Sequence, residues 1–471
     1  MESKVTLKSF FRASKKAKIA AGGIAVLAAA TAIAQAVNLE DVLKTAQALG
    51  AFDVPTHPLL ERAEKDEAES IKTAAAAFFA IQMATEPQSR DAHAKGHACT
   101  VAQFKIREDV PAELSRGLFA QKGKTLDAII RLSNGSGTTR PDGIPDGRGF
   151  AIKLIGGAMG KNLLGTGETQ DFLLVNNENF FLKSAKDYGN FEKTIAQDKN
   201  PNRFFLERTV REALEQGGVA NADELPMTVV GPIMAAAAQA ATNPGGLKDA
   251  VVAVMPEKAA TVLPALAAKL GQLAKKEAPT ELKIALQMAK PSRASLRETY
   301  HSMVSFLLAS PAGQAQDTAV KYAVIPVDCR TREELPAQAN ESTEADALRM
   351  EVAKTLEGSD ACFNFTLQAL PKDMDAAAKV KLVENPQLVY GTERVTVAEI
   401  TIPRQVTNTP EKLKNCENLS FNPWQSGAAH KPLGALNRAR KLAVTASSIR
   451  RHLVTGAARV EPTSVEVLES R

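Results

Sequence analysis

Hydrophobic residues recur along this chain at two different periods, which predict two kinds of secondary structure. From about residue 96 the period is two: Phe363, Phe365 and Leu367 alternate with polar residues, as in a half-buried strand. Similar runs predict strands at 126–132, 149–155, 172–175, 320–327, 362–369 and 395–402. Strands on both sides of a long helical stretch favour one sheet system. A closed antiparallel barrel is the topology that leaves such a sheet without edges.

A helical period precedes the first strands. Pro58 begins a predicted helix over 58–85, in which Ile71 and Phe78 lie on one face. The first half of this stretch, 61–69, is heavily charged, and we expect it to be solvated. This helix is interpreted as an arm outside the barrel.

Two further helical stretches follow the first strands. Residues 202–292 are rich in alanine, with expected breaks at Pro232, Pro244 and Pro256, and they predict a helical insertion. The basic stretch 432–452 predicts the last long helix. The predicted fold class is therefore α+β: an antiparallel barrel with a helical insertion and surrounding helices.

The N-terminus has the pattern of an export segment. Basic residues between Lys4 and Lys18 precede an uncharged, alanine-rich run over 19–37, and Ala34-Gln35-Ala36 fits a small-residue cleavage site. The alternative is an uncleaved anchor, because the run approaches the ~20 residues that span a bilayer. We therefore expect an exported protein, periplasmic or anchored facing the periplasm, with membrane association through this segment.

The predicted organisation has four parts: an export signal or anchor at 1–36, a helical arm at 37–88, a barrel domain at 89–452 that includes the insertion at 202–292, and a tail at 453–471. Hydrophobic residues make up 44% of the chain and charged residues 24%, which is typical of a folded soluble protein. The net charge of +5 comes without clustered basic residues and interleaved aromatics, so a nucleic-acid partner is not expected.

The four cysteines, Cys99, Cys329, Cys362 and Cys416, contain no C-x-x-C spacing, which disfavours structural zinc. In an oxidising compartment some of them could pair, and buried thiols are the equal alternative. The sequence does not indicate which cysteines would pair.

Polar motifs follow one another in the order found in one known family. Arg90-Asp-Ala-His93-Ala-Lys-Gly96 is closely similar to a run that catalases and catalase-related peroxidases carry at the distal face of haem. The ordered matches continue with Phe104, Arg131-Leu-Ser133, Asp146-Gly-Arg148-Gly-Phe150-Ala-Ile-Lys153 and Asp171-Phe-Leu-Leu-Val-Asn176-Asn177-Glu-Asn-Phe-Phe181. Near the C-terminus, Phe421-Asn-Pro-Trp424, His430-Lys-Pro-Leu-Gly434 and Asn437-Arg-Ala-Arg440 resemble the closing motifs of the short, barrel-only members.

The resemblance covers most of residues 58–452, with little contribution from the stretch 202–292. It implies a catalase-like barrel without a C-terminal flavodoxin-like domain, because only about 20 residues follow His452. It also implies haem b as cofactor.

The resemblance assigns a chemical role to three residues of the distal face. His93 would take a proton from the iron-bound peroxide oxygen and return it to the leaving oxygen, a task that suits an imidazole near neutral pH. Asn176 would hydrogen-bond the peroxide without titrating, and Ser133 would orient the imidazole. A second histidine, His97, is interpreted as structural.

Other residues would hold the cofactor. By resemblance, Arg90 and Arg131 would pair with haem propionates through forked hydrogen bonds, and Arg451 would be a further propionate partner. Phe181 would form an apolar wall. Arg440 corresponds to the arginine that hydrogen-bonds the axial phenolate in the relatives.

The proximal face departs from the family pattern. The relatives carry the axial tyrosinate four residues after the arginine that corresponds to Arg440, and Val444 stands at that position, so no metal ligand is found. The four tyrosines, Tyr188, Tyr300, Tyr322 and Tyr390, lie outside this helix. Three alternatives stay open: a different register, haem held by another axial ligand, or no haem.

Two functional hypotheses follow. The first is an exported haem protein that decomposes or reduces hydrogen peroxide or organic peroxides in defence against oxidative stress. Ala92 argues against an allene-oxide-synthase-like action, because those relatives carry threonine directly before the distal histidine. The second is a non-enzymatic relative that binds haem, a lipid or another apolar ligand without turnover. A homo-oligomer is a further expectation.

Overall fold

A closed antiparallel barrel forms the centre of the protein. The computed structural model describes residues 37–84, 90–198, 202–222, 225–240, 243–274, 280–288, 294–338, 344–459 and 461–469. The strands are β1 Gly96–Ile106, β2 Thr125–Asn134, β3 Arg148–Leu154, β4 Gln170–Val175, β5 Tyr300–His301, β6 Phe306–Leu308, β7 Thr318–Val327, β8 Ala361–Ala369 and β9 Val395–Ile402.

All the strand pairings are antiparallel, in the order β5-β4-β3-β2-β1-β9-β8-β7-β6. The short strand β5 closes the ring, because His301 pairs with Val175 of β4 and with Ala323 of β7. Eight strands therefore form the barrel, and β6 lies beside β7 outside it. The predicted α+β fold, an antiparallel barrel with a helical insertion and surrounding helices, is confirmed.

Aromatic rings fill the barrel interior. Phe365 of β8 lies at ring-centroid distances of 5.1 Å from Phe104, 4.9 Å from Phe172 and 5.5 Å from Tyr322. These side chains point inward because alternate residues of a strand face one side of a sheet. All six predicted strands are present, with ends that differ by at most two residues from those expected.

Twelve α-helices lie among the described residues. They are α1 Leu39–Ala48, α2 Glu67–Ala84, α3 Ala185–Asp198, α4 Asn202–Gln216, α5 Met227–Ala238, α6 Pro244–Val254, α7 Ala259–Ala274, α8 Thr280–Met288, α9 Ala347–Gly358, α10 Ala376–Glu384, α11 Pro410–Asn418 and α12 Ala435–Thr455. The long helix α12 is almost entirely buried and packs against α1, α2 and α3. Its buried apolar residues belong to the same main hydrophobic core as those of the barrel strands.

The helical insertion has a hydrophobic core of its own. Helices α4 to α7 bury Val210, Val230, Val251 and Leu266 in a cluster separate from that of the barrel. Pro232 does not break the chain as expected but lies inside α5. Helix α8 returns to the barrel, where Ile284 joins the main core. The insertion therefore ends against the barrel, and the predicted domain boundaries stay predictions.

The N-terminal arm differs from its prediction. Helix α2 begins at Glu67 rather than at Pro58, and two of the charged residues expected to be solvated, Glu61 and Glu67, are buried, whereas Arg62, Lys65 and Asp66 are exposed as expected. Arg438 of α12 contacts Glu61 at 2.5 Å and Glu67 at 2.6 Å between side-chain nitrogen and oxygen. The charges of this segment serve to join the arm to α12, a purpose that only the tertiary structure shows.

All four cysteines form disulfides. Cys99 of β1 pairs with Cys416 of α11 at a Cα–Cα distance of 5.9 Å, and Cys329 pairs with Cys362 at 5.1 Å. Of the alternatives open from the sequence, pairing is therefore the correct one.

The predicted export segment, 1–36, lies outside the described residues. Among the residues that are described, no helix combines the length and the apolar character needed to cross a bilayer. Localisation and membrane association therefore stay predictions.

Candidate functional site

His93 lies at the mouth of the barrel in a strained backbone conformation. Its φ of 58° is in the left-handed region, which is uncommon for a residue other than glycine. Its amide donates to the carbonyl of Gly135 at 3.0 Å, and its Nδ1 lies 3.1 Å from Ser133 Oγ at the end of β2. The structure thus brings together His93 and the hydroxyl predicted to orient it.

Gly149 leaves the space that the His93 ring occupies. A Cβ atom at Gly149 would lie 2.6 Å from His93 Nδ1 and 2.8 Å from Ser133 Oγ. Gly149 is paired with Ser133 across β2 and β3, so the position of the ring depends on glycine in the neighbouring strand. This requirement was not recognised from the sequence.

The imidazole of His93 is neutral at physiological pH. Burial, followed by the positive charges of Arg131 and Arg440, lowers the pKa of His93 to about 4. The residue is nevertheless only half-buried by accessible surface. A strong effect of burial on a side chain with accessible surface indicates a group that lines an internal space.

Asn176 reaches the same end of the sheet, because it directly follows Val175, the partner of Gly149. Its Oδ1 accepts from the Arg148 amide at 2.8 Å, and its Nδ2 is 3.5 Å from the carbonyl of Met288 at the end of α8. The amide is therefore held by the backbone of β3 and by the insertion. Its predicted contact with a peroxide stays a prediction.

Three predicted cofactor arginines converge on Glu417, two of them on its carboxylate. Glu417 Oε2 lies 3.0 Å from Arg90 Nε, and Oε1 lies 3.0 Å from Arg131 Nη2. Arg451 donates to the backbone carbonyls of Glu417 and Leu419. The guanidinium groups that the resemblance assigns to haem propionates are thus engaged by the chain itself.

Electrostatics favour the ionised form of Glu417. Burial would raise the pKa of Glu417, but the charges of Arg131 and Arg90 outweigh it and bring this pKa to about 2. Burial also lowers the pKa of Arg131 to about 10, against the opposing effect of Glu417. The Glu417 side chain nevertheless keeps 42% of its surface accessible.

Helix α12 supplies the opposite wall of this space. Arg440 donates from Nη1 to Asn437 Oδ1 at 3.1 Å, three residues earlier on the helix. Val444 follows one turn after Arg440 on the same face and is half-buried against the main core. The charge of Arg440 contributes to the low pKa of His93, so the two side chains lie within electrostatic reach of each other.

Phe181 packs in an aromatic cluster beside this wall. Its ring lies at centroid distances of 4.8 Å from Phe180, 4.9 Å from Phe191 and 6.1 Å from Phe205. Phe181 itself is buried, at 4% exposure, whereas Phe180 and Phe191 are half-buried. The apolar surface expected from Phe181 is therefore shared among these rings.

The residues present do not fit haem b held as in the family. Val444 offers no atom that can bind iron, and among the described residues no group of three or more His, Cys, Asp or Glu side chains could hold a metal ion. Tyr300, Tyr322 and Tyr390 are buried and contribute to the barrel interior or its surroundings. The propionate arginines already contact Glu417, so both ends of the expected cofactor site differ from the family pattern.

Sequence reasoning missed Glu417 as a site residue. It lies 327 positions from Arg90 and outside the motifs that carry the resemblance, so no local pattern indicates the contact. The neighbouring Cys416 is the one signal, because its bridge to Cys99 fixes α11 beside β1. His97, by contrast, is structural as predicted: its Nε2 lies 2.8 Å from Asn134 Oδ1 inside the protein.

Similar solved structures are catalases, the family that the motifs resemble. A fungal catalase solved at 1.9 Å has a TM-score of 0.42 and 12% identity over 73% of this chain and 55% of its own. Catalase A from Saccharomyces cerevisiae has a TM-score of 0.43 and 11% identity over 73% and 57% of the two chains. A bacterial catalase has a TM-score of 0.44 and 15% identity over 77% and 57%.

The chain therefore spans little more than half the length of these three structures. No protein-family model and no curated protein matches the sequence.

Proposed function

We propose that this protein binds a small apolar ligand in the interior pocket between His93 and Val444, without turnover of peroxide. The observation that carries the proposal is the placement of His93. This residue contacts Ser133 on the barrel side and lies within electrostatic reach of Arg440, which stands one turn before Val444 on α12. A few polar groups placed in largely apolar surroundings are typical of small-molecule sites.

The pairing of Arg90 and Arg131 with a carboxylate of the chain itself also supports this proposal. Since Glu417 supplies the acidic partner of Arg90 and Arg131, the pocket does not require a cofactor to compensate these two charges. The wall at Val444 adds apolar surface where the related enzymes would place an iron ligand. Both features favour binding over redox chemistry.

A haem-dependent reaction with hydrogen peroxide or an organic peroxide is the second candidate. It is favoured by the contact between His93 Nδ1 and Ser133 Oγ. A neutral imidazole oriented by a hydroxyl can accept a proton at its other ring nitrogen. In this candidate His93 would move the proton and Asn176 would orient the substrate.

The test uses the purified full-length protein and the neutral fluorescent probe 1-aminoanthracene. We expect one probe to bind per chain, with a rise in probe fluorescence that Val444→Trp abolishes by filling the pocket. Val389→Trp is the matched control, because Val389 is 51% exposed on the outer surface, and it should bind the probe normally. Haem titration should give no stoichiometric Soret band. A Soret band with peroxide turnover that His93→Ala abolishes would overturn this proposal in favour of the second candidate.

We also propose that the protein works outside the cytoplasm. The two disulfides support this location, because such bridges persist in oxidising compartments and are rare in the cytosol. Expression with the N-terminal segment fused to a reporter that is active only after export would test it. An inactive reporter that is nevertheless produced at full length would contradict the proposal.

A further inference from the structure

We propose that the ligand is a monocarboxylate with an apolar body, and that Arg440 binds its carboxylate in the space above Val444. This inference rests on the proposed binding function and adds the chemistry of the ligand. It starts from a half-buried positive charge on α12 that has no carboxylate partner among the described residues.

Arg440 makes a single hydrogen bond within the described part of the chain, from Nη1 to Asn437 Oδ1. Burial lowers the pKa of its guanidinium, and a phenol, that of Tyr188, is the one acidic group whose ionisation would oppose this effect. By comparison, Arg438 on the same helix contacts three carboxylates, those of Glu61, Glu67 and Glu384. A charge buried without a counter-ion is costly, so Arg440 is a preferred position for an anion.

The guanidinium of Arg440 is held in a fixed orientation. Asn437 Nδ2 donates to the carbonyls of Ser305 at 2.9 Å and Leu433 at 3.0 Å, which orients its Oδ1 toward Arg440. Asn437 is fully buried, and its own carbonyl accepts from the indole of Trp424 at 2.7 Å. A positioned guanidinium loses little entropy when it binds a planar, two-oxygen group such as a carboxylate.

The surroundings of Arg440 suit an apolar body. Val444 lies one turn further along α12, and Tyr188, the electrostatic neighbour of Arg440, lies 6.4 Å from the ring of Phe180. Phe180 in turn contacts Phe181. Beyond the Arg440 guanidinium, the surface is therefore formed by Val444 and by aromatic rings, which would contact a hydrocarbon chain or ring of the ligand.

The ligand is expected to be a carboxylate rather than a phenol, because a carboxylic acid is ionised at neutral pH whereas a phenol, with a pKa of about 10, is not. Facing Arg440, the imidazole of His93 is neutral and adds no repulsion toward a carboxylate. Both alkyl and aryl carboxylates have this chemistry, and the experiment separates them.

The binding test compares acids with their neutral counterparts on the full-length protein. Sodium laurate is paired with 1-dodecanol, and sodium benzoate with benzyl alcohol. The single tryptophan, Trp424, reports binding through its fluorescence because it is bonded to the residue that holds Arg440. Native mass spectrometry gives the stoichiometry. We expect one acid to bind per chain, at least tenfold more tightly than its alcohol.

Variants assign the effect to Arg440. Arg440→Gln should weaken acid binding at least tenfold without changing alcohol binding. Arg440→Lys, which keeps the positive charge, should bind the acid more tightly than Arg440→Gln but less tightly than the unchanged protein. Arg450→Gln is the matched control, because Arg450 is a buried arginine of the same helix that packs over the ring of Phe79. Val444→Phe, which keeps every charge, should abolish acid binding by filling the space.

The inference fails if acid and alcohol bind equally and Arg440→Gln changes neither affinity, a result that leaves the proposed binding function intact. If neither class binds and haem instead gives a stoichiometric Soret band, the proposed function itself is wrong. Circular dichroism confirms that each variant is folded before it is compared.

Discussion

The carboxylate of Glu417 bridges the guanidinium groups of Arg90 and Arg131, with one oxygen 3.0 Å from each. These two arginines are the ones whose place in the motifs resembles that of haem-propionate partners. The chain thus provides an internal acidic partner for both arginines. The contribution of this pairing to the fold can be measured as a change in the free energy of unfolding.

Glu417→Gln should destabilise the protein by about 1–2 kcal/mol, because it removes the carboxylate that pairs with the buried Arg131 and the half-buried Arg90. The cost is below that of a fully buried pair because 42% of the Glu417 side chain is exposed to water. Urea unfolding at neutral pH measures the effect. Glu399→Gln is the control: its carboxylate also contacts two arginines, Arg107 and Arg332, but these are 33% and 24% exposed, against 12% and 4% for Arg90 and Arg131. That change should cost less than about 1 kcal/mol. Equal losses in the two variants would show that Glu417 has no special role.

Gly149→Ala should displace the imidazole of His93. The new methyl group would lie 2.6 Å from its Nδ1, so ring and hydroxyl must move apart. We expect a loss of about 1–3 kcal/mol in the free energy of unfolding, with a shifted His93 signal in NMR spectra. Gly143→Ala is the control, since nothing lies within 4 Å of the added methyl. An unchanged His93 signal in Gly149→Ala would refute the assigned contact.

Acid should weaken the fold through His430. Its Nε2 accepts from the amide of Leu118 at 2.9 Å, and burial lowers the pKa of His430 to about 4. The unfolded chain therefore binds more protons than the folded chain between pH 6.5 and 4, and stability falls as pH falls through this window.

The full contribution of His430 is roughly 3 kcal/mol. His430→Asn keeps an acceptor for the amide but cannot be protonated, so it should reduce the loss of stability between pH 7 and pH 4.5. Urea titrations at several pH values give the slopes. A slope identical to that of the unchanged protein would contradict the prediction.

Val444→Tyr should introduce a phenol one turn from Arg440. If the helix register is as described, the guanidinium should favour the phenolate form and so lower the pKa of the new tyrosine, which absorbance titration at alkaline pH measures. The ring fills the same space as that of Val444→Phe, so both variants should lose laurate binding, and Val444→Phe should add no titrating group. A new tyrosine that titrates together with the other tyrosines would indicate that position 444 does not face Arg440.

The sequence predicted the parts of the fold that repeat locally. The alternation of apolar and polar residues in β8 and the helical stretch that forms α12 were enough to predict these two elements. Helices α9 to α11 were missed, since they are short and have weak patterns. The charged residues Glu61 and Glu67 were assigned to solvent because their partner, Arg438, lies more than 370 positions away.

The same limit applies to the candidate site. Its motifs placed His93 beside Ser133 correctly, because the two residues meet at the paired ends of neighbouring strands. Glu417 could not be found this way, since its contacts depend on how α11 packs against β1. The assignments of the remaining site residues to peroxide or cofactor stay predictions.

The disulfide between Cys99 and Cys416 makes the pocket dependent on the redox state of its surroundings. Cys416 directly precedes Glu417, so this bridge connects the backbone that carries the Glu417 carboxylate to β1. Where thiols are kept reduced, that anchor would be absent while the barrel strands could still pair. A chain retained in a reducing compartment would thus reach the same overall fold with a less firmly held Glu417 carboxylate. The Cys99–Cys416 bridge that fixes this carboxylate would form only after delivery to an oxidising compartment.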